Sequence, residues 1–116
     1  MAEEHWYSVR CVFEMPTIAA LNEVPEDISL YEERVTVWRA ASLDEALALA
    51  EQEAVEYAGA TDRYLGLAQA YALEAPPAHG AEVFSLLRNS RLDGETYLNT
   101  FFDTGDEEQD EDKAAD

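Results

Sequence analysis

Residues 42–58, SLDEALALAEQEAVEYA, are the stretch on which the fold depends. Ser42 is a favoured N-cap residue, and Glu45, three positions later, completes a capping-box pattern by reaching back to the Ser42 amide. Apolar residues recur at three- and four-residue spacing, while acidic residues mostly occupy the other side. The apolar positions are Leu43, Ala46, Leu47, Ala50, Ala54, Tyr57 and Ala58. Gly59 then supplies a C-cap, so the pattern predicts an amphipathic helix that packs against the strands before and after it.

Two stretches that alternate apolar and polar residues predict strands before the helix. Residues 5–14, HWYSVRCVFE, alternate with a period of two, and their more apolar face consists of Tyr7, Val9, Cys11 and Phe13. Residues 30–40, LYEERVTVWRA, are rich in β-branched and aromatic residues. We expect these strands to be antiparallel neighbours, joined by a long irregular connection over residues 15–29.

The chain after the helix predicts two more strands and a second, short helix. Residues 63–74, RYLGLAQAYALE, are ambiguous, because their alanine content favours a helix and their tyrosine and leucine content favours a strand. We favour a strand there and a fourth strand at residues 81–88, AEVFSLLR. Asp93 is a favourable N-cap for the second helix. The anchors expected for that helix are Leu98, Phe101 and Phe102.

These elements together predict one α+β domain over residues 1–102. Its order is β-β-α-β-β-α, with a mainly antiparallel four-stranded sheet and one long helix packed on one face. Residues 103–116 contain no apolar residue except two alanines and are predicted to be a disordered acidic tail.

The charge of the chain is strongly negative: 26 acidic and 7 basic residues give a net charge of −19. Residues 103–116 hold eight of the acidic residues and the only lysine, so the part before them carries −12. Such a body repels nucleic acid and anionic lipid, whose binding depends on Lys and Arg. We therefore expect no nucleic-acid or membrane partner, and a basic protein is the electrostatic expectation. The alternative is that the acidity reflects genome composition or adaptation to salt.

The residue types needed for catalysis or metal binding form no pattern in this chain. Cys11 is the only cysteine, and its position in an apolar strand favours a buried, inert thiol. Two histidines lie in unrelated segments, the glycines are dispersed, and no G-x-S-x-G sequence is present. The N-terminal sequence MAEEHWYS does not resemble a signal peptide, and no run of 18 apolar residues exists. We expect a cytoplasmic protein with no catalytic residues, cofactor or metal. A small carboxylate-dependent hydrolase is kept as a remote alternative.

Four segments carry a resemblance to a known family. They are WYSVRCVFE, the YEERV of the second strand, SLDEALALAEQEAVEYA, and EVFSLL followed by LDGETYL. With these segments, which span nearly all of the chain before Asp103, the sequence resembles the small bacterial family called domain of unknown function 4288. The long connection between the first two strands and the acidic tail depart from the compact core of such proteins. The resemblance implies a fold and no activity.

One candidate interaction surface emerges from the predicted strands. It consists of large aromatic and apolar residues with two arginines: Trp6, Arg10, Arg34, Trp38, Leu67 and Tyr71. Other parts of the same chain, with cross-strand ion pairs to Glu14 and Glu32, are one interpretation of how these residues are covered. The other interpretation is a contact surface, because such residues are enriched in interfaces. It predicts a two-fold homodimer centred on Trp38.

Two functions from different classes are consistent with these observations. The first is a protein-interaction module that binds a basic partner, with immunity to a toxic enzyme or regulation of a neighbouring protein as specific versions. The alternative is a structural, homo-oligomeric accessory domain without catalytic activity.

Overall fold

The structure of the chain, a computed structural model, describes residues 3–16 and 29–107. Most of the connection predicted over residues 15–29, and the tail from residue 108 onward, lie outside the described residues. The elements are β1 His5–Met15, β2 Leu30–Ala40, α1 Leu43–Ala58, β3 Arg63–Ala72 and the short helix α2 Gly94–Tyr97, which continues into a π-helical turn at Leu98–Phe102. No helix in the described ranges is long and apolar enough to cross a bilayer.

Over residues 3–16 and 29–107 the fold is α+β, and the sheet has three antiparallel strands in the order β2-β1-β3. The predicted four-stranded sheet with the order β-β-α-β-β-α is therefore wrong. Residues 81–88 adopt no strand, although residues 63–72 do, as predicted. Glu82 and Phe84 instead contact the sheet through their side chains, since Glu82 accepts a hydrogen bond from Tyr71 and Phe84 lies beside Arg10. The alternating polarity of residues 81–88 does not distinguish a segment that packs on the sheet through its side chains from a strand that pairs with it.

Helix α1 begins and ends where its capping residues predict. The Ser42 hydroxyl accepts a hydrogen bond from the Glu45 amide at 3.1 Å. The Glu45 carboxylate accepts from the Ala41 amide at 2.9 Å, one residue earlier than the expected Ser42 amide. At the other end Gly59 has a φ of 61° and donates its amide to the Val55 carbonyl at 3.2 Å. A positive φ is adopted at low cost only by glycine, so this residue ends the helix.

The core lies between α1 and one face of the sheet. Its larger cluster contains Val9, Cys11 and Phe13 from β1, with alanines from α1. The buried residues of α1 are Ala46, Ala50, Ala54 and Ala58, spaced by four. This stripe is narrower than the predicted apolar side, because Leu43 and Tyr57 are exposed. A methyl-only stripe allows the helix to lie close to the strands.

The strand register divides the sheet into two faces. Directly opposite residues of paired strands share a face, and Tyr7 lies opposite Trp38 while Cys11 lies opposite Arg34. These residues belong to the face that packs on α1, here called the helix face. The other side, here called the outer face, contains β1 residues such as Trp6 and Arg10.

Strand β3 is irregular in its middle. It pairs Ala68 with Cys11 and Tyr64 with Phe13, so β3 has two more residues than β1 between these pairs. Gly66 lies in this bulge with a φ of 82°. The bulge interrupts the ladder along this edge of the sheet.

Among the described residues, those from Leu86 onward form a second compact unit, and those up to Ser85 form the first. Asp93 caps α2 as predicted, because its carboxylate accepts a hydrogen bond from the Thr96 amide at 2.9 Å. The residues predicted to anchor this helix, Leu98, Phe101 and Phe102, are exposed, so that prediction is wrong. Within the same unit the Arg88 guanidinium carbon lies 4.2 Å from the centre of the Phe101 ring. The single domain predicted over residues 1–102 stays a prediction.

Candidate interaction surface

The six residues of the predicted surface do not lie together. Arg34 and Trp38 lie on the helix face, whereas Trp6 and Arg10 lie on the outer face. The expectation that all four share a face is wrong, because odd-numbered residues of β1 pair with even-numbered residues of β2. The sequence defines which residues of each strand share a face, but the relative register of two strands also depends on the connection between them.

Arg34 is held by α1 at the flank of the core. Its guanidinium binds both carboxylate oxygens of Glu53, at 2.7 and 3.0 Å, and lies 3.7 Å from the centre of the Tyr57 ring. The hydrogen bonds to Glu53 raise the pKa of Arg34 further above its ordinary value. Tyr57 in turn donates its hydroxyl to Glu32 at 2.8 Å, which raises the pKa of the tyrosine. These contacts join the edge strand β2 to the helix, which is a structural role.

Trp38 also packs against the hydrophobic core. Its indole N–H donates to the Thr36 hydroxyl at 2.7 Å, and its ring packs against both clusters of buried residues. A buried indole N–H needs such a partner, so Thr36 compensates for the partial burial of the tryptophan. Trp38 is thus half-buried by its own chain.

Arg10 is the central residue of the outer face. It donates to the Gln69 side chain at 2.5 Å, pairs with Glu33 at 3.3 Å, and lies 5.3 Å from the centre of the Phe84 ring. The guanidinium is therefore bound on several sides by its own chain. It is not an exposed cation available to a ligand.

The remaining three residues of the predicted surface have different environments. Tyr71 donates its hydroxyl to Glu82, which raises the pKa of the tyrosine, and its ring lies 6.2 Å from that of Phe84. Leu67 is exposed in the bulge of β3. Trp6 is half-buried, and its carbonyl accepts the Leu73 amide at 2.9 Å. The segment around residues 82–84 thus covers part of the outer face, a role that the sequence did not reveal.

Two valines on the outer face of β2 are left uncovered. Val35 is 43% exposed and Val37 is 41% exposed, and β2 is an edge strand. Glu33 and Arg39 lie on the same face at either side of them. Sequence reasoning missed this pair because it assigned the other side of β2 to the outer face. The alternation V-T-V in β2 was the signal that the two valines share a side.

All four arginines of residues 3–16 and 29–85 bind carboxylates of the same unit. The pairs are Arg10–Glu33, Arg34–Glu53, Arg39–Glu4 and Arg63–Glu14, with N–O distances of 3.3, 2.7, 3.4 and 2.5 Å. The hydrogen bond from Arg63 lowers the pKa of Glu14. The same ranges contain thirteen acidic residues, so negative charge remains at the surface after pairing.

Cys11 has the environment of a structural thiol. It is 4% exposed, and burial is the largest cause of its raised pKa. Burial followed by the hydrogen bond to Glu51 raises the pKa of the neighbouring Tyr64. Since the thiolate is the nucleophile, such a thiol reacts slowly. The described residues also contain no group of three or more His, Cys, Asp or Glu side chains arranged to hold a metal ion.

No family model matches the chain, nor does any curated protein or solved structure. The resemblance to domain of unknown function 4288 therefore stays a prediction that rests on the four quoted segments.

Proposed function

We propose that the chain is a cytoplasmic protein-interaction module that binds a basic protein through the outward side of α1. Immunity to a toxic enzyme and regulation of a neighbouring protein are the specific versions of this function. The observation that carries the proposal is the charge arrangement of residues 3–16 and 29–85. Every arginine there is neutralised within the unit, while Asp44 and Glu56 of α1 are exposed. A surface of this sign attracts cationic partners and repels nucleic acid and anionic membranes.

The outward side of α1 also has the composition of an interface. The buried alanine stripe fixes which side of the helix faces the sheet. The opposite side combines its exposed carboxylates with the exposed side chains of Leu49 and Val55. Apolar residues surrounded by charge are the usual arrangement of a non-obligate contact surface. We therefore place the contact on this side of α1.

A capture experiment with charge-matched variants tests the proposal. The immobilised full chain is exposed to native lysate at low and high salt, and bound proteins are identified by mass spectrometry. The test variant carries Asp44→Asn and Glu56→Gln, and the control carries Glu3→Gln and Glu74→Gln at other exposed positions. Both variants lose two negative charges, so they differ only in where the charge is removed.

We expect a basic protein that binds the wild-type chain and the control but binds the α1 variant at least tenfold less. High salt is expected to weaken capture, because it screens the attraction between exposed charges. Equal capture by the two variants would refute the placement on α1. Captured proteins without net positive charge would refute the electrostatic basis of the proposal.

The second candidate function is the homo-oligomeric accessory domain. It is favoured by a separate observation, the exposure of Val35 and Val37 on an edge strand.

A further inference from the structure

The outer edge of β2 has the features of a pairing site for another strand. In the described ranges β2 has β1 as its only strand neighbour and extends over eleven residues without a bulge. The opposite edge of the sheet is interrupted by the bulge of β3 around Gly66. A long regular edge strand can accept a further strand, whereas a bulged one is a poor template.

Symmetry limits how a second copy can pair with β2. A two-fold axis perpendicular to the sheet makes the two strands antiparallel and keeps the helix face of both copies on one side. Opposite residues must then share a face, so the axis passes through a residue position rather than between two positions. With the axis at Thr36, Val35 of one copy lies opposite Val37 of the other, and the reverse pair repeats this contact.

The same register makes the charges complementary. It places Glu33 of each copy, which also pairs with Arg10 of its own chain, opposite Arg39 of the other, which also pairs with Glu4 of its own chain. Both residues lie on the outer face beside the valines. Moving the axis to Val35 would place Glu33 opposite Val37, and moving it to Val37 would place Val35 opposite Arg39. Either shift therefore places a charged side chain directly opposite a valine. The Thr36 register alone among these three pairs valine with valine and acid with base.

The geometry points to a homodimer in which the β2 strands of two copies pair antiparallel about Thr36 and form one continuous six-stranded sheet. This interface is separate from the α1 surface proposed above. Residues 32–40 of both copies overlap, over about 30 Å at about 3.3 Å per residue. On the helix face Arg34, which is bound to Glu53 and stacked on Tyr57 of its own chain, lies opposite Trp38 of the second copy. The net charge of −19 on each copy opposes association.

A charge-swap experiment on the full chain tests both the interface and its register. Glu33→Arg sets two pairs of positive charges against each other in the homodimer, and Arg39→Glu sets two negative pairs. Mixing the two variants restores both attractive pairs in a heterodimer. The control variants are Glu74→Arg and Arg63→Glu, which make the same charge changes at exposed positions outside β2. Sedimentation velocity from about 1 to 100 μM at 0.15 M salt measures association, and circular dichroism confirms folding.

We expect the wild-type chain and both controls to dimerise, and each β2 variant to associate about tenfold more weakly, since like charges opposite each other destabilise strand pairs. The equimolar mixture is expected to recover the wild-type affinity. A wild-type chain that is monomeric at 100 μM would overturn the inference. So would β2 variants that dimerise as well as the controls, or a mixture that stays as weak as its two components. None of these variants alters α1, so this result is independent of the capture experiment.

Discussion

Replacing one alanine of the buried stripe with leucine tests how closely α1 lies on the sheet. Ala50 is 1% exposed and belongs to the cluster of Val9, Cys11 and Phe13. Because its neighbours along the stripe are also fully buried, a larger side chain has no space unless the helix moves away from β1 and β3. Overpacking of a core usually costs about 1–3 kcal/mol, and we expect Ala50→Leu to lie at the upper end, near 3 kcal/mol.

The matched control for this substitution is Ala48→Leu, two residues away on the exposed side of α1. Alanine and leucine have similar helix propensities, so the control is expected to change the free energy of unfolding by less than about 0.5 kcal/mol. Urea denaturation followed by circular dichroism measures both variants. A loss near 3 kcal/mol corresponds to a melting temperature lower by roughly 10–20 °C in a unit of this size. If Ala50→Leu is as stable as Ala48→Leu, the close approach of the helix to the sheet is incorrect.

Three further predictions concern the caps and polar contacts of the first unit. Ser42→Ala removes the acceptor for the Glu45 amide and is expected to cost about 1 kcal/mol in urea denaturation; no loss would exclude a role for the cap. Arg34→Ala breaks the two hydrogen bonds to Glu53 and is expected to lower the free energy of unfolding by about 1–2 kcal/mol in urea denaturation. Arg34→Lys is expected to recover only part of that loss, because lysine cannot bind both carboxylate oxygens in parallel. Burial raises the pKa of Cys11 above its ordinary value of 9.0, so its contribution to stability is complete below that pH and is lost as the pH rises through the raised pKa. Above about pH 9 the melting temperature is therefore expected to fall less steeply in Cys11→Val than in the wild-type chain, and equal slopes would contradict this.

The parts of the fold that the sequence predicted are those set by local chemistry. Ser42, Glu45 and Gly59 mark the ends of α1 because capping depends on residues within one turn. Alternation in residues 5–14 and 30–40 gave both strands, since a half-buried strand has a period of two. The Asp93 cap of α2 followed from the same local rules.

The parts that the sequence did not predict depend on contacts between distant residues. Residues 81–88 have a strand-like pattern, yet Glu82 and Phe84 contact the outer face through side chains, and no local signal distinguishes the two arrangements. The residues of the candidate surface do not share one face of the sheet, for a related reason. Its arginine and tryptophan in β2 were correctly placed on one side of that strand, but which side faces α1 depends on the pairing register with β1.

The orientation of β2 follows from a comparison of its two sides. The side that faces α1 includes Trp38, a large aromatic whose burial contributes roughly 2–4 kcal/mol even when partial. The other side offers Val35 and Val37, and covering their remaining exposed surface would add only about 1 kcal/mol each. Turning β2 over would also separate Arg34 from Glu53, which already form two hydrogen bonds. Trp38 and Arg34 together therefore outweigh the valines and leave them exposed at the surface. The proposed pairing of two β2 strands would cover these valines with those of the second copy.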